Sequence, residues 1–317
     1  MSPVQRLTLF ACLLAPPASA QVVFPVSFDA SASGLTSTER ANITSHVQEA
    51  GKRWVQAIGI AASRSIEIEV RIADVPTANA TSATTGFVAN VGGRDMYEQG
   101  AAFELRTGTD PNGATADAYV TFGLAYLRNE LWFDPAPAVR TEPVPVNRTD
   151  ALSVALHELG HVFVYNGWAD LTTGQPPATY WSTFDRWMQP GAPTVFIGAT
   201  AVRSWGTAPD VTTGNNKHWG NATALAGLPP VPMRVLPSVE WINGAPTPLP
   251  ACQLPESIDA PPSADATGPR GGSLIDQLMN GVVFYRGTRY DITPLDRATL
   301  IDTGVIPDRV FANGFDP

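Results

Sequence analysis

The chain has 317 residues, a formal net charge of −9 and 44% hydrophobic content, enough apolar material for one large core or two small ones. That acidity excludes nucleic acid and anionic membrane as natural partners, because both need a basic face. With 27 glycines and 29 prolines, long connections and modest regular structure are expected.

Residues 1–20 read as a secretory signal peptide. Arg6 supplies the positive start, Leu7 to Leu14 the apolar stretch, and Ala18-Ser19-Ala20 the small-residue cleavage site before Gln21. The segment is too short to span a bilayer as a stable helix, and Leu9-Phe10-Ala11 before Cys12 fits a lipidation signal poorly. Export to the extracellular space or periplasm is therefore expected, with cleavage after Ala20 and no membrane insertion. Cleavage leaves Cys252 as the sole cysteine, which rules out an intramolecular disulfide.

In the mature part, Gln21 to Asp29 reads as a strand. Thr36-Ser37-Thr38-Glu39 has capping-box spacing. The helix it opens runs to about Ile58, with Ile43, Val47, Ala50, Trp54 and Ile58 along one side. Ser65 to Ile72 alternates strictly, as a strand with one wet face does. A Gly- and Ala-rich stretch then runs to Asp117 without a clear element. Ala118 to Gly123 reads as another strand and Trp132-Phe133-Asp134 as a short edge strand, and prolines mark a loop from Asp134 to Val146.

A second helix begins at Thr149 or Asp150 as N-cap. Leu152, Ala155, Leu156, Leu159, Val162 and Phe163 recur at helical spacing, which predicts a half-buried helix, and Asn166-Gly167 offers a left-handed stop. Beyond Trp168 few elements are clear. Trp181, Phe184, Trp187, Phe196, Trp205, Trp219 and Trp241 nevertheless supply too many aromatics for disorder, so packed irregular structure is expected there. The last helix is capped by Thr293, has Pro294 at its first position and Asp296 completing the box, and ends at Gly304. This organisation suggests an N-terminal sheet-and-helix subdomain over 21–167, an irregular C-terminal subdomain over 168–307, and a tail from 308 to 317. The tail is either a sorting tag or a frayed end.

The second helix carries the chemistry. It contains His157-Glu158-Leu159-Gly160-His161, and positions i and i+4 lie one above the other on a helix. Both imidazoles can therefore reach one metal ion, while Glu158, rotated by about 100°, can touch water beside it. This is the H-E-x-x-H pattern of zinc hydrolases. The alternative is a helix with two surface histidines.

A catalytic zinc needs three protein ligands and an open position. No glutamate occurs between Glu158 and Glu240, so a nearby downstream glutamate is not available. The compact pattern with glycine three residues after the second histidine fails too, because Val164 and Gly167 occupy the relevant positions. His46 sits on the first helix beside Ile43 and Ala50, where a structural role is expected. His218, in the turn-rich Thr213 to Gly220, is the favoured third ligand, with Asp170 and Asp185 as alternatives.

The HELGH motif, the distant His218-Trp219, and Leu278-Met279-Asn280-Gly281 followed by Ile292-Thr293-Pro294-Leu295-Asp296 together resemble the leishmanolysin type of metzincin and its bacterial secreted relatives. The likeness spans about residues 118 to 304. It implies an α+β fold with a twisted, mostly parallel sheet and active-site helix in the N-terminal part and a loop-rich C-terminal part. It also implies Met279 as the Met-turn residue, a soft floor under the histidines. Val164 departs from the glycine at which such helices turn, which would move the turn to Asn166-Gly167, and the disulfides of leishmanolysin are missing.

The resulting expectation is a secreted zinc endopeptidase acting on protein or peptide substrates, with Zn2+ on His157, His161 and His218 and Glu158 as general base. Tyr285 and Tyr290 are either oxyanion donors or core residues, and Cys252 is either incidental or an inhibitory ligand. Two competing readings are an exported binding or adhesion protein whose metal site is closed by a fourth ligand, and an exported structural domain without metal.

Overall fold

The computed structural model describes residues 21–221, 260–264 and 273–306. The expected signal peptide and tail, Glu240, Trp241 and Cys252 lie outside the described residues.

The first expected strand is two short ones. Val22–Val23 pairs in parallel with Arg64–Ser65, and β1 (Val26–Phe28) pairs in parallel with Ile68–Val70. Pro25 divides them because it has no N–H for a ladder, although its carbonyl still accepts from the Ile68 amide at 2.9 Å. The same break shortens the expected Ser65–Ile72 strand to β2 (Ile68–Ala73), in which Ile68 and Val70 are buried. Between them runs α1 (Ser37–Ile58), whose Thr36–Glu39 capping box forms as the sequence suggests and whose five apolar positions are all buried.

The stretch that gave no clear pattern holds β3 (Ala78–Ser82), the hairpin β4 (Thr85–Val91) and β5 (Arg94–Gln99), and α2 (Gly100–Thr107). Gly92 and Gly93 close the hairpin with φ of +61° and +81°, values that suit glycine at a two-residue turn. Next comes β6 (Ala118–Gly123), followed by α3 (Leu124–Asn129). The main sheet has the order β1-β2-β6-β3, with β1, β2 and β6 parallel and β3 antiparallel at the edge. The fold is thus mixed α+β, with several small and mostly parallel sheets.

The helix α4 (Ala151–Phe163) is capped by Asp150, whose carboxylate accepts the Ser153 amide. It packs against α1, β3 and α2, and the Trp54 indole of α1 donates to the Leu156 carbonyl at 2.8 Å. Two expectations are corrected here. All thirteen residues of α4 are buried, not one side only, because chain from beyond residue 210 covers the face that carries the polar side chains. The helix also ends at Val164, where the amides of Val164 and Tyr165 both donate to Gly160. Val164 has a negative φ of −149°, so the helix ends without a left-handed residue, and Gly167 is not left-handed. What Gly167 provides is room, since a Cβ there would collide with Asp185 and Ser182.

Beyond α4 the chain to residue 221 is irregular, with short pairings and α5 (Ala199–Trp205). Its aromatics are packed as expected. Phe184, Phe196 and Trp219 are fully buried and pack on one another with ring centroids 5.1–6.1 Å apart, and Phe184 and Trp219 also meet Tyr165 at 5.4 and 5.5 Å. The final helix α6 (Pro294–Asp302) has the predicted Thr293–Asp296 box, and Gly304 follows at φ +80°. One hydrophobic core takes residues from both sides of position 167, from Ile43 on α1 to Leu300 on α6. Among the described residues no helix is long and apolar enough to cross a membrane.

Candidate metal centre

Two imidazoles come from α4 by its pitch alone. The third arrives on a strand: Asn215–Trp219 runs antiparallel to Val211–Thr212, and all five of its residues are buried. This corrects the expected turn-rich loop. The backbone bonds that fix this strand extend to the other side of the site, because the Trp219 amide donates to Met279 O at 2.8 Å and Gly281 N to Trp219 O at 3.1 Å.

The three Nε2 atoms converge. His157 and His218 are 2.9 Å apart at Nε2, His161 and His218 3.0 Å, and His157 and His161 3.2 Å. Every Nδ1 is already engaged with an oxygen acceptor. His157 meets the Leu278 carbonyl at 2.8 Å, His161 the Tyr165 carbonyl at 2.8 Å, and His218 the Asn215 Oδ1 at 2.6 Å. An oxygen that only accepts requires the proton on Nδ1, which leaves three Nε2 lone pairs pointing at one another. In a buried place that arrangement calls for a cation between them.

The donor set suits a metal ion of borderline softness, and outer-shell acceptors on the far nitrogens are the usual way to orient ligating imidazoles. A tetrahedral zinc with Zn–N near 2.05 Å would place its nitrogens about 3.3 Å apart, within a few tenths of an ångström of the spacing seen. Burial pushes all three imidazoles below their ordinary basicity, His161 to about 4. They are therefore neutral near pH 7, as a metal requires. Among the described residues the group consists of these three side chains and no fourth ligand.

The other candidates have different work. Asp185 is fully committed: one oxygen meets buried Lys217 at 2.8 Å, the other the amides of Trp168 and Ser182. Asp170 is exposed and accepts from Thr172 and Thr173 in its own turn. His46 is buried against Phe133 and bonds Asn42 O, a structural histidine. The Tyr290 hydroxyl accepts the Tyr285 amide, and the Tyr290 ring packs on Phe284, which itself meets His157 edge-on at 5.2 Å. Both tyrosines are buried in this packing.

Met279 is fully buried, and a Cβ on Gly160 would lie 2.5 Å from its Sδ and 3.2 Å from Trp54. The methionine thus sits against the turn of α4 that carries both histidines, and Gly160 is the residue that admits it. Glu158, on that same turn, is fully buried.

Sequence reasoning missed the three acceptors, the reason for Gly160, and Tyr126 on α3. Burial holds the Tyr126 phenol well above its usual range, and Glu130 and Glu158 add to the effect, so it remains a neutral O–H near the site. Asn215 lies three residues before His218, a spacing visible in the sequence but without meaning until a strand is known to carry both. No protein-family model, curated protein or solved structure matches the chain, so any reading of function rests on the residues themselves.

Proposed function

We infer that the protein is a secreted zinc endopeptidase of the leishmanolysin-like metzincin type, acting on protein or peptide substrates. The observation that carries this reading is the convergence of three Nε2 lone pairs at 2.9–3.2 Å beside a buried glutamate on the same helical turn. Secretion rests on the apolar leader at residues 1–20, and the family assignment on HELGH, His218-Trp219 and the position of Met279 against Gly160.

His157, His161 and His218 would hold the ion, each fixed in tautomer by its Nδ1 acceptor. When bound, zinc supplies Lewis acidity toward water and toward a peptide carbonyl. Glu158 takes the proton of the attacking water and delivers it to the departing amine. The Tyr126 phenol, kept neutral by burial, lies close enough to Glu158 to feel its charge. An idle binding site would need a fourth side chain on the metal, and among the described residues the group stops at three imidazoles.

The test pairs metal analysis with peptide cleavage. The purified mature protein should carry about one zinc per chain and cleave an unfolded protein substrate. Glu158→Gln should keep the zinc and lose on the order of 10²- to 10⁴-fold in rate. A protein that takes up no metal, or a Gln variant that cleaves as well as the parent, refutes the assignment.

A further inference from the structure

A second group of facing lone pairs lies away from the imidazoles, and its atoms are all oxygens. Carboxylate oxygens of Glu104 near the end of α2, Asp110 in the following loop and Asp117 just before β6 lie within 4.8 Å of one another. Proximity of acids alone means little. Here, however, Asp117 is fully buried and its Oδ1 has no hydrogen-bond partner, while Oδ2 accepts the Glu67 amide at 2.7 Å. Glu104 is 8% exposed and its Oε2 is also without a partner. A third buried oxygen in the segment, Asn112 Oδ1, lacks one too. Buried oxygens are normally satisfied, so three orphans within fourteen residues require an explanation.

We propose that Glu104, Asp110 and Asp117 form a second cation site that takes a hard divalent ion, specifically calcium. Calcium accepts several carboxylate and amide oxygens in irregular geometry, whereas magnesium demands a near-ideal octahedron and retains its waters. An all-oxygen set without imidazole or thiolate does not suit zinc. The Asp110–Asn112 spacing is the alternation by which calcium loops present oxygens, and Gly113 turns the chain with φ +67°. Asp110 accepts the amides of Asn112 and Gly113 through Oδ1, which organises the loop. Asp110 is exposed, so the site opens to solvent through it.

Electrostatics agree with the geometry. Burial, with Glu104 and Glu67 nearby, pushes Asp117 up to about 8, and Glu104 is raised as well. Arg64 acts on Glu104 as a weaker counterweight. The Glu67 carboxylate is bonded by the Ser65 hydroxyl. An ion here would tie the end of α2 to the start of β6 and fix the loop between them.

The experiment uses the zinc-loaded mature protein and calcium chloride, with magnesium chloride as control. The expected result is one calcium bound per chain by equilibrium dialysis and a thermal midpoint that rises with millimolar calcium but not with magnesium. Asp117→Asn and Asp110→Asn should each weaken calcium binding by about tenfold or more while leaving the zinc content unchanged. Asp110 is exposed and Asn keeps its turn-forming oxygen, so this variant decides the matter should Asp117→Asn fail to fold. A parent protein indifferent to calcium overturns the proposal and points to a proton shared by Asp117 and Glu104. An Asp110→Asn variant with undiminished calcium binding overturns it as well.

Discussion

The nitrogen cluster on α4 and the oxygen cluster after α2 pose the same physical problem, buried lone pairs facing one another, and meet it with opposite architecture. The imidazoles are neutral, and each is locked by an acceptor behind it and mounted on helix or strand. The carboxyls are crowded within one short stretch of chain, with Asp117 held up to about 8 by burial and its acidic neighbours, and they open to solvent at Asp110. A rigid, neutral, dry cage preserves direction, which chemistry needs. A charged loop cage supplies affinity and closes a connection, which stability needs.

The strongest way to break this comparison is to remove one imidazole. His218→Ala takes away one of the three proposed ligands, and structural zinc sites bind with roughly 10–16 kcal/mol over four ligands. The loss of zinc affinity should thus be on the order of 10²- to 10³-fold, read by competition with a chromogenic chelator, and cleavage should fall with it. Calcium dependence of the thermal midpoint should survive. If His218→Ala removes both responses, the clusters are not independent and the contrast fails.

Protons sharpen the comparison because the metal-free clusters respond to pH with opposite sign. His161 titrates at about 4 in the folded chain against 6.5 ordinarily, so between those values the unfolded state binds more protons. Its contribution is complete above pH 6.5 and disappears as the pH falls toward 4, on the order of 3 kcal/mol in total. In chelated protein, the stability of the parent relative to His161→Gln should therefore decline by that amount on acidification, measured by urea unfolding at several pH values. Asp117 runs the other way. Its folded value of about 8 lies above the ordinary 3.8, so its contribution is present in acid and is lost as the pH rises through 8. A relative stability of the His161 variant that is independent of pH would mean the imidazole is not buried as a neutral base.

The two clusters also differ in how far the sequence disclosed them, and the reason is periodicity. His157, Glu158 and His161 share a helix, so spacing alone predicts their faces, and the caps at Thr36, Asp150 and Thr293 are equally local. His218 was reachable because the chain has only four histidines. The burial of α4 on every side was not legible, since it depends on distant chain folding over its polar face. The oxygen cluster escaped for a different reason. Glu104 belongs to a helix that α2's Gly-Ala sequence hides, and Asp117, although it directly precedes the strand read at Ala118, carries no local sign that it is buried. The strands β3, β4 and β5 carry few large apolar residues, so their alternation is faint. Carboxylates are also common enough that three in fourteen residues signal nothing without burial.

The subtlest test concerns Asn215, whose side chain touches neither substrate nor metal in the proposed site. Its Oδ1 lies 2.6 Å from His218 Nδ1, and it does for His218 what backbone carbonyls do for the two helical histidines. A carbonyl is held by its own helix or turn, whereas an amide side chain can rotate, so the third imidazole is the least rigidly fixed of the three. Removing the acceptor in Asn215→Ala frees His218 to move its proton from Nδ1 to Nε2, the atom the metal needs. Outer-shell losses of this kind cost roughly 10- to 100-fold in metal affinity, less than loss of the ligand itself. Asn215→Asp keeps the acceptor and adds charge, so it should bind zinc at least as tightly as the parent. An alanine variant with unchanged zinc affinity would show that packing of Trp219 and Gly281 is enough to aim His218, and would shift the source of rigidity from the hydrogen bond to the strand that carries it.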